Sequence, residues 1–182
     1  MKHLGTIELE TDRLILRRFT LDDAMDMYRN WASDPEVTKF LTWKTYESPE
    51  TADTILKIWV ENYEQPDFYQ WAIELKEIGQ PVGSISVVRL NNKVESAEIG
   101  YCIGKAWWHQ GFTSEALERV MRFLFDEVGV NRVEARHDVN NPNSGKVMQK
   151  CGMTLEGILR QADMNNQGLC DEACYAILKN ER

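Results

Sequence analysis

The chain has little with which to build a metal centre or a disulfide framework. Its four cysteines, Cys102, Cys151, Cys170 and Cys174, lack CxxC spacing, and its three histidines, His3, His109 and His137, are scattered. Reduced structural thiols and no bound metal are expected. No apolar run approaches the roughly 20 residues that span a bilayer. The N-terminal MKHLGTIELETDR is charged early, so the expectation is a cytoplasmic protein with no membrane partner. Positive charge is also short, at 21 Lys+Arg against 29 Asp+Glu and a net charge of -8, which argues against a nucleic-acid backbone as the main partner. Most of the imbalance precedes Ala97, with 11 positive and 17 negative residues before it and 10 and 12 after it. If that half lines a substrate site, a cationic substrate is favoured; a solvated acidic surface explains the imbalance equally well. The phosphate-loop pattern GxxxxGK[ST] and the dinucleotide pattern GxGxxG are both absent.

What remains is enough for one sizeable core and short for two, so residues 1–182 are expected to form one domain, without repeat, low-complexity tract or linker. Arg13 to Phe19 alternates apolar and charged residues as a half-buried strand does. Thr20-Leu21-Asp22-Asp23 then opens a helix through Ala24, Met27 and Trp31, broken at Ser33-Asp34-Pro35, with a short helix to Phe40. Ser48-Pro49-Glu50 opens another helix. Phe68–Leu75, Pro81–Leu90 and Ser96–Ile103 read as an antiparallel meander. A helix over about Phe112–Glu127, a strand over Arg132–Val139, a short helix from Asn141 to Lys150, and strands over Met153–Ile158 and Glu172–Leu178 complete an α/β pattern with seven strands.

Two strand-to-helix turns carry the chemistry. In GKAWWHQGFTSEAL, residues 104–117, the N–H groups of Gln110 to Ser114 lie at the positive end of a helix dipole, a place suited either to a diphosphate or to ordinary capping. Asn141-Pro142-Asn143-Ser144 forms the second such turn. Two of them at strand C-termini in one small domain suit an elongated ligand with amide and phosphate parts.

Taken together, AEIGYCIGKAWWHQGFTSEAL, the NxxS turn and the KCGM segment resemble the GNAT superfamily of N-acetyltransferases, in particular its ribosomal-protein alanine N-acetyltransferase branch. The resemblance covers nearly the whole chain. It implies a mixed, mostly antiparallel seven-stranded sheet with helices on both faces, split by a V-shaped opening that takes acetyl-CoA as cosubstrate. The family pattern [QR]xxGx[GA] falls on Trp108, Gly111 and Thr113, departing at the first and last positions. By resemblance Gln110, Gly111, Phe112, Thr113 and Ser114 hold the diphosphate through backbone N–H groups, and a core or substrate-pocket role is expected for Trp107 and Trp108. Tyr101, Cys102 and Ile103 on the splayed strand pair with pantetheine as an added strand would. Asn141 either bonds pantetheine through its amide or simply caps its helix.

The tyrosine that many family members use as the acid is Met148 here; a serine at the Ser144 position is proposed to serve in the ribosomal branch, with a carboxylate as base. The resemblance thus makes Ser144 the acid and Asp163, in Gln161-Ala162-Asp163, the first candidate base, with Glu98 the second. The implied function is direct acetyl transfer, through a ternary complex, to a primary amine: the N-terminus of a protein, such as a ribosomal protein, or a small polyamine or antibiotic amine. A non-catalytic CoA-binding regulatory module is the alternative, and a monomer or homodimer is expected. Trp31, Trp43, Trp59 and the loop around Phe40 to Ser48 are expected to shape the acceptor site.

Overall fold

Burial in the computed structural model, which describes residues 1–182, follows the sequence alternation from the first long-range pairing. In β2 (Leu14–Arg17) Leu14 and Leu16 are buried while Ile15 and Arg17 are only partly so. The strand pairs antiparallel with β3 (Gln70–Leu75), which leads through β4 (Gln80–Asn91) to β5 (Ser96–Ile103). After β6 (Arg132–Asp138) come β7 (Thr154–Asn165) and β8 (Gly168–Leu178), a long hairpin whose second strand lies against β6. With β1 (Leu9–Glu10) at one edge, the sheet order is β1-β2-β3-β4-β5-β6-β8-β7, and every pairing is antiparallel except β5 with β6.

The sheet therefore has eight strands where seven were expected. The extra one, β1 (Leu9–Glu10), is two residues long and pairs Leu9 with Leu16, too short to produce an alternation. The last hairpin also extends beyond its expected ends. Register shifts at Leu155/Gly157 and Leu159/Asp163 interrupt β7, which is exposed over most of its length; bulges and an uncovered face together remove the period-two signal.

Helices cover both faces, and β3 shows why. Trp71 and Ile73 join the larger core under α4 (Phe112–Phe123), whereas Ala72 between them joins a second core formed by α1 (Ala24–Met27) and α3 (Pro49–Asn62). A strand buried on both sides reads as a continuous apolar run. The helix expected from Thr20 changes pitch instead: a 3₁₀ turn at Leu21–Asp23 leads into α1, a π turn follows at Tyr28–Ala32, and α2 (Pro35–Thr38) comes next. Asp23 accepts from the Thr20 N–H at 2.8 Å while both its oxygens take Arg17 at 2.8 and 2.9 Å. α4 likewise passes into a π turn at Leu124–Val128 before Gly129, in the left-handed conformation, stops it.

One feature of the sheet positions the site. β5 and β6 pair only from Ser96↔Arg132 to Ile99↔Ala135, yet β5 runs on to Ile103 and β6 to Asp138. Because the two strands are parallel, their diverging C-terminal ends lie on the same side of the sheet. Each leads to a helix N-terminus there: β5 to α4, and β6 to α5 (Pro142–Lys150).

Candidate active site

A cavity of about 690 Å³ opens where β5 and β6 part. Gly111 caps α4 with φ +82°, a conformation that favours glycine, and it offers no side chain to the helix entrance. The N–H of Glu115 is the first to bond back, to the Gly111 carbonyl at 3.0 Å; those of Phe112, Thr113 and Ser114 precede it, and all three residues line the cavity with Gly111. Lys39, Lys146 and Lys150 line it too, and its one carboxylate, Glu36, is paired with Lys105 at 2.7 Å. A Cβ built on Gly111 would lie 3.5 Å from both Arg13 Nη2 and Lys150 Nζ.

The entrance is buttressed by residues that sequence reading missed. Arg13 donates through Nη1 to the Gln110 carbonyl at 3.0 Å and through Nε to Glu115 at 2.7 Å, and its guanidinium lies 4.2 Å from the Phe112 ring centroid. Thr11 donates to the other Glu115 oxygen at 2.6 Å. Burial would raise the Glu115 carboxyl, but these bonds hold it below its ordinary value. Gln110 itself is exposed and stands outside the cavity lining, its side chain donating to the Ala106 carbonyl at 2.9 Å.

Tyr101, Cys102 and Ile103 form the β5 wall, with Trp107 and Trp108 beside them. The Trp108 indole donates to the Ile103 carbonyl at 2.9 Å, so that carbonyl is already occupied. Both tryptophans pack on the larger core while lining this cavity. Burial pushes the Cys102 thiol up, its sulfur 3.4 Å from Ser84 Oγ.

A second cavity, of about 200 Å³, has the opposite character. Glu98, Asp138, Asp163 and Glu172 line it against a single cation, Arg136. All four carboxylates come from the half of the chain after Ala97, so the acidic surplus of the first half is not what lines the site. The four differ in what holds them. Asp138 is saturated by Asn140, which donates from both its backbone and side chain, and by Asn165 at 2.7 Å. Glu98, whose side chain is 14% exposed, has Oε2 at 3.4 Å from Arg89 and 3.7 Å from Arg136, with no hydrogen bond to that oxygen. Glu172, which no motif marked, is raised above the ordinary carboxylate value by burial and by Asp163, with Arg136 opposing. Asp163 is half-buried on β7.

The two cavities share Phe40, Leu41, Tyr101, Asn141 and Ser144. Asn141 stands at the N-cap of α5 without a side-chain capping bond. Ser144 Oγ donates to Tyr101 Oη at 3.2 Å, and Tyr101 Oη donates back to the Ser144 carbonyl at 3.0 Å. Burial raises the Tyr101 phenol far above its usual value. Met148 is buried in the core below, 1% exposed. The tip of the β7–β8 hairpin holds the loop above: Asn166 donates its side-chain amide to the carbonyls of Thr38 and Trp43, each at 2.8 Å, and its backbone N–H to that of Leu41. The expectation for the acceptor loop needs correcting, because Trp31 is fully buried in the second core and Trp43 and Trp59 pack against it. Phe40, Leu41 and Thr42 are the loop residues that reach the small cavity. No three His, Cys, Asp or Glu side chains gather as a metal site, and no helix is long and apolar enough to cross a membrane.

Residues 13–154 match the family model for the acetyltransferase (GNAT) domain. The chain is 34% identical over 171 residues to an uncharacterized N-acetyltransferase of Bacillus subtilis, YoaA, covering 94% of this chain and 96% of that one. It is 33% identical over 95 residues to the ribosomal-protein-serine acetyltransferase of Escherichia coli, about half of each chain (52% and 53%). The structure of the Microcin C7 self-immunity acetyltransferase MccE, in complex with acetyl-CoA and AMP, superposes with a TM-score of 0.82 at 20% identity, covering 92% of this chain and 93% of that one, which shows the shared fold.

Proposed function

The chain belongs to the GNAT acetyltransferase family and is an N-acetyltransferase, and from that premise we propose that it passes an acetyl group from acetyl-CoA in the larger cavity to a primary amine in the smaller one. The observation that carries this reading is the division of charge: a lysine-lined cleft and a carboxylate-lined pocket meet at Tyr101, Asn141 and Ser144. A polyanionic donor suits the first, and a cationic amine the second.

In this reading the N–H groups of Phe112, Thr113 and Ser114 take the diphosphate, with Lys150 and Lys146 beside them. Asn141, whose amide is not spent on capping, bonds pantetheine along β5 and brings the thioester to the junction. An amine held next to the thioester needs three things: loss of its proton, a clear line of attack on the carbonyl carbon, and a proton for the departing sulfur. Asp163 takes the first proton, with Glu98 as the second candidate. The Tyr101–Ser144 pair supplies the last.

For the acceptor we favour the α-amine of a peptide. The small cavity sets apolar walls, Phe40, Leu41, Val88 and Ile99, beside its carboxylates, room for an ammonium together with one modest side chain. The Escherichia coli relative named for a ribosomal-protein substrate points the same way. Mass spectrometry after incubation with acetyl-CoA and a mixed panel of short peptides, polyamines and amino sugars tests the choice. Acetyl on peptide N-termini supports it, and acetyl confined to the polyamines or amino sugars replaces it with a small-molecule acceptor.

A further inference from the structure

We infer that Tyr101, and not Ser144, is the acid that protonates the departing CoA thiolate, and that Ser144 serves by positioning the tyrosine hydroxyl and stabilising the phenolate it leaves. The inference rests on the transferase reading above.

Three observations carry it. Tyr101 borders both cavities at their junction, and position 148, on the helix turn after Ser144, holds a methionine sunk in the core. The hydrogen bond between the two hydroxyls runs in one direction: Ser144 Oγ donates and Tyr101 Oη accepts, at 3.2 Å. A serine proton given to the tyrosine oxygen is arranged to stabilise negative charge forming on that oxygen. The Tyr101 proton points elsewhere. It rests on the Ser144 carbonyl at 3.0 Å, and rotation about the tyrosine C–O bond turns it into the cavity. A phenol is also a far stronger acid than an aliphatic alcohol, and the burial that raises Tyr101 keeps its proton in place until the thiolate forms.

The step balances as follows. The ammonium gives one proton to the cavity carboxylate, and its nitrogen lone pair forms the C–N bond at the thioester carbon. The C–S bond breaks with its electron pair going to sulfur, which takes the Tyr101 proton. The phenolate accepts from Ser144 Oγ until one of the two protons lost by the nitrogen returns to it through solvent, and the other proton is released. No oxidant, metal or further reactant enters.

The test compares Tyr101→Phe, Ser144→Ala and the double variant, with wild-type turnover of the same amine as the control that carries the transferase reading by itself. Tyr101→Phe keeps the ring and should lower kcat by about 100-fold or more, with KM for acetyl-CoA changed less than about threefold. Ser144→Ala should cost only about 3- to 20-fold, and the double variant should match Tyr101→Phe, because Ser144 acts through the hydroxyl already removed. Replacing Tyr101 by 3,5-difluorotyrosine keeps the hydroxyl and lowers its pKa, so the alkaline fall of kcat should move to lower pH. That variant also carries the question if the phenylalanine protein binds CoA poorly. A Ser144→Ala loss equal to or larger than that of Tyr101→Phe, additive losses in the double variant, or an unmoved alkaline limb would each return the acid to Ser144 or to solvent.

Discussion

Asp163 and Glu98 face one small cavity from strands that are not neighbours: β5 carries Glu98, β7 carries Asp163, and β6 and β8 lie between them. Glu98 is engaged by two arginines, Arg89 and Arg136, whereas no ion pair holds Asp163. A base must be free to accept a proton, so Asp163→Asn should depress kcat/KM by roughly 10²–10⁴-fold and flatten its acidic limb. Glu98→Gln should do far less. The reverse order, measured on one purified pair of variants, transfers the role to Glu98.

Glu172 gives a pH-dependent check on the same pocket. Burial and the Asp163 charge raise its carboxyl above 4.5, so its ¹³C-carboxyl NMR titration should lie above that value and move down in Asp163→Asn. The sign for stability follows from proton linkage: a carboxyl raised on folding binds its proton more tightly in the native state. Wild type should therefore lose stability relative to Glu172→Gln as pH rises from 4.5 through the Glu172 midpoint. A midpoint at or below 4.5 contradicts the described environment.

Gly111 tests the helix entrance. Proline there would lose an N–H and is locked near φ −65°, against the observed +82°. Gly111→Pro should weaken CoA binding at least tenfold, about 1.4 kcal/mol, by calorimetry on protein shown to be folded by circular dichroism. Unchanged affinity would place the diphosphate elsewhere.

The ion triad of Arg17 with Asp23 and Glu74 makes a prediction remote from the site. Asp23 is 6% exposed and takes Arg17 Nη1 and Nη2, so neutralising it leaves the half-buried guanidinium with Glu74 as its one carboxylate. Asp23→Asn should cost roughly 3 kcal/mol, a Tm fall of roughly 6–12 °C for a chain of this size. Burial works against the charged form, but Arg17 and Thr20 hold the Asp23 carboxyl below its ordinary value. Its stabilisation is thus present above pH 3.8 and lost as pH falls through the depressed midpoint, a dependence the variant should lack.

Much of the fold was legible because its signals are local. Alternation marked β2, helical spacing marked α4, and the closely spaced runs over Phe68–Leu75, Pro81–Leu90 and Ser96–Ile103 marked the meander. The bulged β7 and two-residue β1 hid from the same reasoning, since neither sustains a period. In the site, Gly111 to Ser114, Asn141, Ser144, Asp163 and Glu98 were singled out in advance, and all line one or both cavities. The Tyr101 phenol, Glu172 and the Arg13–Glu115 brace were not, because their meaning lies in contacts with distant residues: Tyr101 meets Ser144 only because β5 and β6 diverge. Trp31 was misplaced for a simpler reason, since a tryptophan at helical spacing is core unless a cavity reaches it.

We propose that acetyl passes directly between the two cavities that meet at Tyr101 and Ser144. The most direct measurement is mass spectrometry of protein and products after mixing with ¹³C-acetyl-CoA and a panel of short peptides, polyamines and amino sugars. Direct transfer gives N-acetylated amine and free CoA in equal amounts, with no acetyl on the protein, because the cysteine bordering the cleft, Cys102, is kept as an unreactive thiol by burial. An acetyl adduct on Cys102 that forms and decays at the rate of turnover would contradict direct transfer. Acetyl-CoA bound but passed to no amine would contradict the claim outright.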